Sequence, residues 1–286
     1  MDELYAKVSS TTKQALYQFM KDQEISLLNY HFDYFFQFCI QENNIRVLPH
    51  HFSNDKIEGL TVVDELGTSF SYERDNPKVK RNFTLCHELG HFILGHEGAY
   101  FAESVDNQED ILEREANIFS AIVLMPDIVL LSKIYYSCDT FQRVQNSLEV
   151  SKQAFYFRLL DLLREYFPHR ESKLKLAIDS YITGNTNSIH HLFHEIKDEI
   201  IGEFNQYQPS FVNQIKQKIN EFGFATSKDF PELINQGNWN LIRESGPNLK
   251  TWLIYNKGKT VAYVWNSQKL SENEARKKAE LELLLM

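Results

Sequence analysis

The sequence predicts an α+β protein: a mainly helical domain with a small sheet over residues 1–167, a helical linker region over 168–208, and a small α-β-β-β-α domain over 209–286. Three observations carry this. Apolar residues at helical spacing run through most of the chain up to residue 204. Short alternating stretches interrupt them before residue 75, and beyond Tyr207-Gln208-Pro209 the pattern turns strand-like between two helices.

Residues 11–43 place Leu16, Phe19, Leu27, Leu28, Phe32, Phe35 and Phe36 mainly three or four apart, as in helices with one buried face. Strand-like stretches follow at Ile45 to Leu48, Leu60 to Val63 and Ser69 to Tyr72, the last two joined by a turn containing Gly67. Helical patterning dominates from Phe83 to about Phe167, punctuated by Gly95, Pro126 and Pro168. Residues 171–204 read as two helices around Thr183-Gly184-Asn185-Thr186-Asn187. The last domain reads as a helix at 210–222, strands near 239–244, 250–256 and 260–265, and a helix from Ser271.

Apolar residues at 43% and charged ones at 24% are the proportions of a globular protein, which excludes a disordered or fibrous chain. A net charge of -9 argues against coating nucleic acid with the whole surface. Residues 209–286 carry 11 Lys and Arg against 8 Asp and Glu, so only this tail is suited to a polyanion. Cys39, Cys86 and Cys138 show no paired spacing; they read as small buried hydrophobes in a reducing compartment. The start Met1-Asp2-Glu3-Leu4-Tyr5 has no basic region with an apolar run behind it, and no run of 18 uncharged apolar residues occurs. The expectation is a cytoplasmic protein without a membrane segment.

The chemical signal is Cys86-His87-Glu88-Leu89-Gly90-His91-Phe92. Residues four apart lie one turn apart on the same face of a helix, so His87 and His91 can present two imidazoles to one ion. Glu88 falls about 100° around the helix, out of line with that pair and suited to act as a base on water. Phe83, Leu85, Leu89, Phe92 and Ile93 make the segment a buried helix, and Gly90 leaves one side bare for a neighbour. A peptidase zinc takes three protein ligands and keeps a position for water. A distal histidine in the long H-E-x-x-H-x-x-G-x-x-H pattern would fall at Glu97, so Gly95 and His96 miss that register by one. The next helix, around Ile111 to Met125, offers Glu113 with Asn117 four residues on, one as ligand and one to orient a histidine. Ala116 would let the two helices approach. Glu115 and His96 remain the alternatives for the third ligand, against a solvated helix acid for Glu115 and a helix-end histidine for His96.

Two separated stretches, Asn82-Phe83-Thr84-Leu85-Cys86-His87-Glu88-Leu89-Gly90-His91 and Glu113-Arg114-Glu115-Ala116-Asn117-Ile118-Phe119, closing with Leu124-Met125-Pro126, resemble the ImmA/IrrE metallo-endopeptidase family. The resemblance covers about residues 59–167. It implies a zincin-like domain of gluzincin type with His87, His91 and Glu113 on Zn2+ (or another divalent metal) and Glu88 as catalytic base. It also implies a narrow protein substrate, a helix-turn-helix repressor whose cleavage releases genes of a mobile element, prophage or stress response. The strand Ser69 to Tyr72 is expected to hold an extended peptide by edge pairing. The rival expectation is a non-proteolytic, metal-containing regulatory or RNA- or protein-binding module.

His190, His191 and His194 form a second cluster without a nearby cysteine and read as a packed or solvated helix face. Residues 140–167 resemble a helix-turn-helix, but core packing explains Phe155, Leu159 and Leu162. Leu241 to Pro247, Thr251 to Ile254, Val261 to Val264 and Ser271 to Leu284 resemble a degenerate double-stranded-RNA-binding domain. The histidine expected after Gly-Pro is missing at Asn248-Leu249, and Glu272-Asn273 stand in place of the lysine pair. Arg276, Lys277 and Lys278 are the remaining candidate contacts to RNA or a partner. Protein interaction or dimerisation fits this segment better.

Overall fold

The computed structural model describes residues 3–51, 57–65, 67–96, 100–104 and 111–285. The chain divides into two compact units, Met1–Gln208 and Pro209–Met286.

The first unit opens with helices α1 (Glu3–Asp22) and α2 (Phe32–Glu42), whose inward aromatics Tyr17, Phe19, Phe32, Phe35 and Phe36 are buried. Strands β1 (Arg46–His50), β2 (Ile57–Asp64) and β3 (Gly67–Glu73) follow, each longer than its expected stretch. Helix α3 (Lys78–Ile93) leads to β4 (Tyr100–Ser104), and α4 (Ile111–Leu124) continues into α5 (Asp127–Leu131) and a π-helical turn at Ser132–Tyr136. Helices α6 (Phe141–Leu148), α7 (Lys152–Tyr166), α8 (Glu171–Ile182) and α9 (Asn187–Gln206) complete the unit.

The sheet order is β1-β3-β2-β4, with β1 parallel to β3 and the other pairs antiparallel. This corrects two expectations. β4 lies inside the stretch expected to be helical, because a short aromatic run pairs with β2 through backbone bonds that periodicity does not reveal. β3 is interior, with β1 on one edge and β2 on the other, so it has no edge to offer a peptide; among the described residues the outer strands are β1 and β4.

α3 packs across β2, β3 and β4, and α4 lies between α3 and α1. The apolar run Ile111–Tyr136 is long enough to cross a bilayer, but 78% of its most apolar window is buried in the protein, and Pro126 breaks it between α4 and α5. It is a core element. In α7, Phe155, Leu159 and Leu162 are fully buried, which accounts for their spacing by packing. Residues 168–208 are not a linker: Leu174, Ile178, Ile189, Phe193, Ile196 and Ile200 join the same core cluster as α1 and α7. Their spacing of three and four residues gives α8 and α9 one continuous apolar face each.

A buried charge network ties these helices. Asp127 sits between Lys13 of α1, at 2.7 Å, and Arg158 of α7, and Lys13 also pairs with Glu203 of α9 at 2.8 Å. Asp127, Lys13 and Arg158 are all buried.

The second unit runs α10 (Phe211–Phe222), β5 (Phe224–Thr226), two short 3-10 turns, α11 (Trp239–Glu244), β6 (Leu249–Asn256), β7 (Lys259–Asn266) and α12 (Glu272–Leu284). Its sheet order is β5-β7-β6. Alternation along β7 divides the apolar residues: Ala262 and Val264 pack with Ile215, Ile219 and Ile242, whereas Tyr263 and Trp265 pack with Ala275 and Ala279 of α12. The strand expected near 239–244 is helix α11. Its Arg243 lies over the Trp239 ring at 5.6 Å, a helical i,i+4 contact, and bonds to Thr251 of β6. The expected α-β-β-β-α order is kept, with β5 as its first strand and α11 inserted between β5 and β6.

Candidate metal centre

Helix α3 carries His87, Glu88 and His91 on a segment closed in by the sheet on one side and α4 on the other. The small residues set the approach. A Cβ on Gly90 would lie 3.1 Å from the Phe119 ring and 3.2 Å from the Ala116 Cα, so any larger residue there would push α4 away.

That approach brings Glu113 to the two histidines. His87 Nε2 is 3.0 Å from Glu113 Oε2, His91 Nε2 is 3.1 Å from His87 Nε2, and His91 Nε2 is 3.5 Å from Glu113 Oε1. His87 and His91 are 1% exposed and Glu113 9%. A tetrahedral ion with ligands at about 2.0–2.1 Å has ligand–ligand edges of about 3.3 Å, so the three donors stand at the spacing such an ion requires. Two imidazoles and one carboxylate are also the donor set that zinc accepts. The residues fit a divalent metal.

The electrostatics agree with ligand protonation states. Burial pushes the His91 imidazole down, favouring the neutral form. Burial works against the charge on Glu113, but its close contacts with the His87 and His91 rings outweigh it and hold its carboxyl down to about 2. Asn117, one turn beyond Glu113, sets its Oδ1 3.1 Å from His87 Nδ1, where it accepts the ring proton and leaves Nε2 facing the other donors.

Glu88 is fully buried on a different face of α3. Thr61 of β2 donates its hydroxyl to Glu88 Oε2 at 2.5 Å. Two residues earlier on the same face of β2, a Cβ on Gly59 would fall 2.3 Å from Glu88 Oε1 and 2.5 Å from Thr84 Cγ2. Gly59 thus admits the carboxylate and Thr61 holds it. Neither residue stands out in the sequence analysis; a glycine inside a strand pattern is the available sign of such a close approach.

The alternatives for the third ligand lie outside the donor triangle. His96 and Glu115 pair with each other, Nε2 to Oε2, at 2.8 Å, and neither is solvated. His190 stacks on the Tyr135 ring and His194 meets the Tyr135 hydroxyl at 2.7 Å, as a packed helix face, but a cysteine does lie beside it, Cys138 Sγ standing 3.8 Å from His190 Nε2. Cys39 and Cys86 are buried, but Cys138, in a left-handed conformation at φ 53° two residues after the π-helical turn, is exposed. His51, Glu73 and Asp75 also gather, but His51 and Asp75 are exposed and Glu73 accepts the Asp75 backbone N–H, a turn-closing contact. In the second unit Arg276, Lys277 and Lys278 are exposed on α12; Arg276 pairs with Glu280, and Lys278 lies over the Phe224 ring at 5.7 Å.

Residues 40–160 match the family model Peptidase_M78, described as the IrrE N-terminal-like domain, a span that takes in β1 to α7 with all three donors, Glu88 and Asn117. No curated protein and no solved structure matches the chain. The chain therefore carries, over residues 40–160, an IrrE N-terminal-like domain of the Peptidase_M78 family of metallopeptidases.

Proposed function

We propose that the protein is a zinc-dependent, site-specific endopeptidase of the cytoplasm that cleaves a helix-turn-helix transcriptional repressor, releasing mobile-element, phage or stress genes. The observation that carries this is the triangle of His87 Nε2, His91 Nε2 and the Glu113 carboxylate, whose Oε2 lies 3.0 Å from His87 and Oε1 3.5 Å from His91, beside a buried carboxylate that is not part of it. His87, His91 and Glu113 would hold the metal; the same ligands accept other divalent ions. When bound, it supplies a Lewis acid that polarises a scissile carbonyl and acidifies water.

The chain's own groups do the rest. Glu88 takes a proton at its carboxylate and returns it to the leaving amine, while Thr61 keeps that carboxylate in one orientation. Asn117 keeps His87 in the tautomer that ligates. Burial of Glu88 and both histidines supports a narrow substrate range, since only a segment fitted to the site reaches them. For residues 209–286 we favour association with a protein partner or a second copy over duplex RNA, because Arg276 and Lys278 are already engaged within the unit.

Incubating the zinc-loaded protein with a helix-turn-helix repressor is expected to give one pair of fragments by mass spectrometry, and a chelator should abolish them. Intact repressor, or cleavage that survives complete metal removal, would contradict the assignment.

A further inference from the structure

Helix α3 ends in a turn that carries His96 back over His91. Gly95 adopts left-handed backbone at φ 69°, the His96 N–H bonds to the His91 carbonyl at 3.1 Å, and the Gly95 N–H bonds to the Phe92 carbonyl at 3.2 Å. This pair of bonds is the Schellman closure, and it needs a left-handed residue at that position. As a result the His96 and His91 rings meet edge to face with centroids 4.9 Å apart, and their Nδ1 atoms are 2.8 Å apart. Beyond His96 stands Glu115 of α4, 2.8 Å from Nε2. The His96 side chain is 4% exposed and that of Glu115 11%.

Two ring nitrogens at 2.8 Å require one proton between them. His91 Nε2 faces His87 and Glu113, so its lone pair belongs there and its proton sits on Nδ1. His96 must then accept at Nδ1 and carry its own proton on Nε2, aimed at the Glu115 carboxylate. One tautomer of each ring satisfies both contacts.

We propose that His96 is a positioning residue of the metal centre: placed by Gly95 and oriented by Glu115, it fixes His91 in the tautomer and ring orientation whose Nε2 lone pair faces the metal. Asn117 does the same for His87, so α4 orients both imidazoles, one directly and one through His96. Two of its residues, Glu113 and Glu115, thereby take different roles, one in the donor triangle and one behind it. The proposal rests on His87, His91 and Glu113 being metal ligands.

The test is the Zn(II) affinity of the full-length protein, measured by competition with a chromophoric chelator, alongside the melting temperature of the metal-free form. His96→Phe keeps a ring but removes the acceptor, and is expected to weaken zinc binding by about 10–100-fold, the usual range for losing such a partner, with little change in metal-free melting. His96→Asn restores an acceptor near the Nδ1 position and should recover most of the loss. Glu115→Ala leaves the His91–His96 contact in place and should cost about tenfold, which provides a readout if His96→Phe does not fold. Wild-type affinity in His96→Phe or Glu115→Ala, or equal weakness in His96→Phe and His96→Asn, would assign His96 to packing and overturn the proposal. A wild type that takes up no zinc would overturn the ligand assignment itself, a distinct result.

Discussion

Glu88→Gln is expected to slow peptide cleavage by about 10²–10⁴-fold, the contribution of a positioned general base, while zinc content stays at the wild-type level. The substitution is nearly isosteric in a tight site, where Gly59 approaches the carboxylate so closely that even a Cβ would not fit between them. The amide oxygen of the substituted side chain can still accept the Thr61 hydroxyl, so the fold around it is retained. What is lost is the negative oxygen able to take a proton. Single-turnover cleavage by zinc-loaded wild type and variant, with metal content measured on the same samples, checks this. A variant that cleaves within about threefold of wild type would remove Glu88 from the chemistry.

Asp127→Ala is expected to cost about 3–5 kcal/mol of stability, the effect of leaving a buried cation without its counterion. Asp127 lies between Lys13 and Arg158, both buried, so its loss strands the Arg158 charge from α7 and leaves Lys13 of α1 with Glu203 alone. A drop in melting temperature of the order of 10 °C follows for a unit of this size. The effect depends on pH in a definite direction. Burial opposes the charge on Asp127, but Arg158 and Lys13 outweigh it and hold its carboxyl below the ordinary value. Its contribution is therefore present above the ordinary carboxylate range and is lost as pH falls through the lowered folded value. Denaturant unfolding of Asp127→Asn and wild type at neutral and strongly acid pH should show a gap that closes on acidification. A gap that widens there would reverse the sign assigned to the network.

How much of the protein is legible in its sequence depends on whether a contact is local. His87 with His91 and Glu113 with Asn117 are each four apart on one helix, so helical periodicity places both pairs, and Gly90 with Ala116 marks where the helices meet. The apolar faces of α7 and α9 are visible for the same reason. Contacts between elements are not. Thr61 and Gly59 reach Glu88 only because β2 crosses α3, and Lys13 reaches Asp127 only through the packing of α1 on the α4–α5 segment. β4 depends on pairing with β2, and the interior place of β3 depends on parallel pairing with β1, neither of which leaves a periodic signal. α11 reads as a strand in the sequence because a six-residue apolar–polar run is too short to separate a period of 3.6 from one of 2. The register of His96 fits no linear ligand pattern; a left-handed Gly95 moves it back over His91, where it serves the ligand without being one.

The central claim is that His87, His91 and Glu113 together form the metal site, and zinc titration of the metal-free protein beside Glu113→Ala and Glu115→Ala tests it most directly. The wild type should bind a single zinc per chain, Glu113→Ala should lose most of that affinity, and Glu115→Ala should be weakened only modestly. Wild-type affinity in Glu113→Ala, with the loss falling on Glu115→Ala instead, would contradict the arrangement derived from the donor triangle.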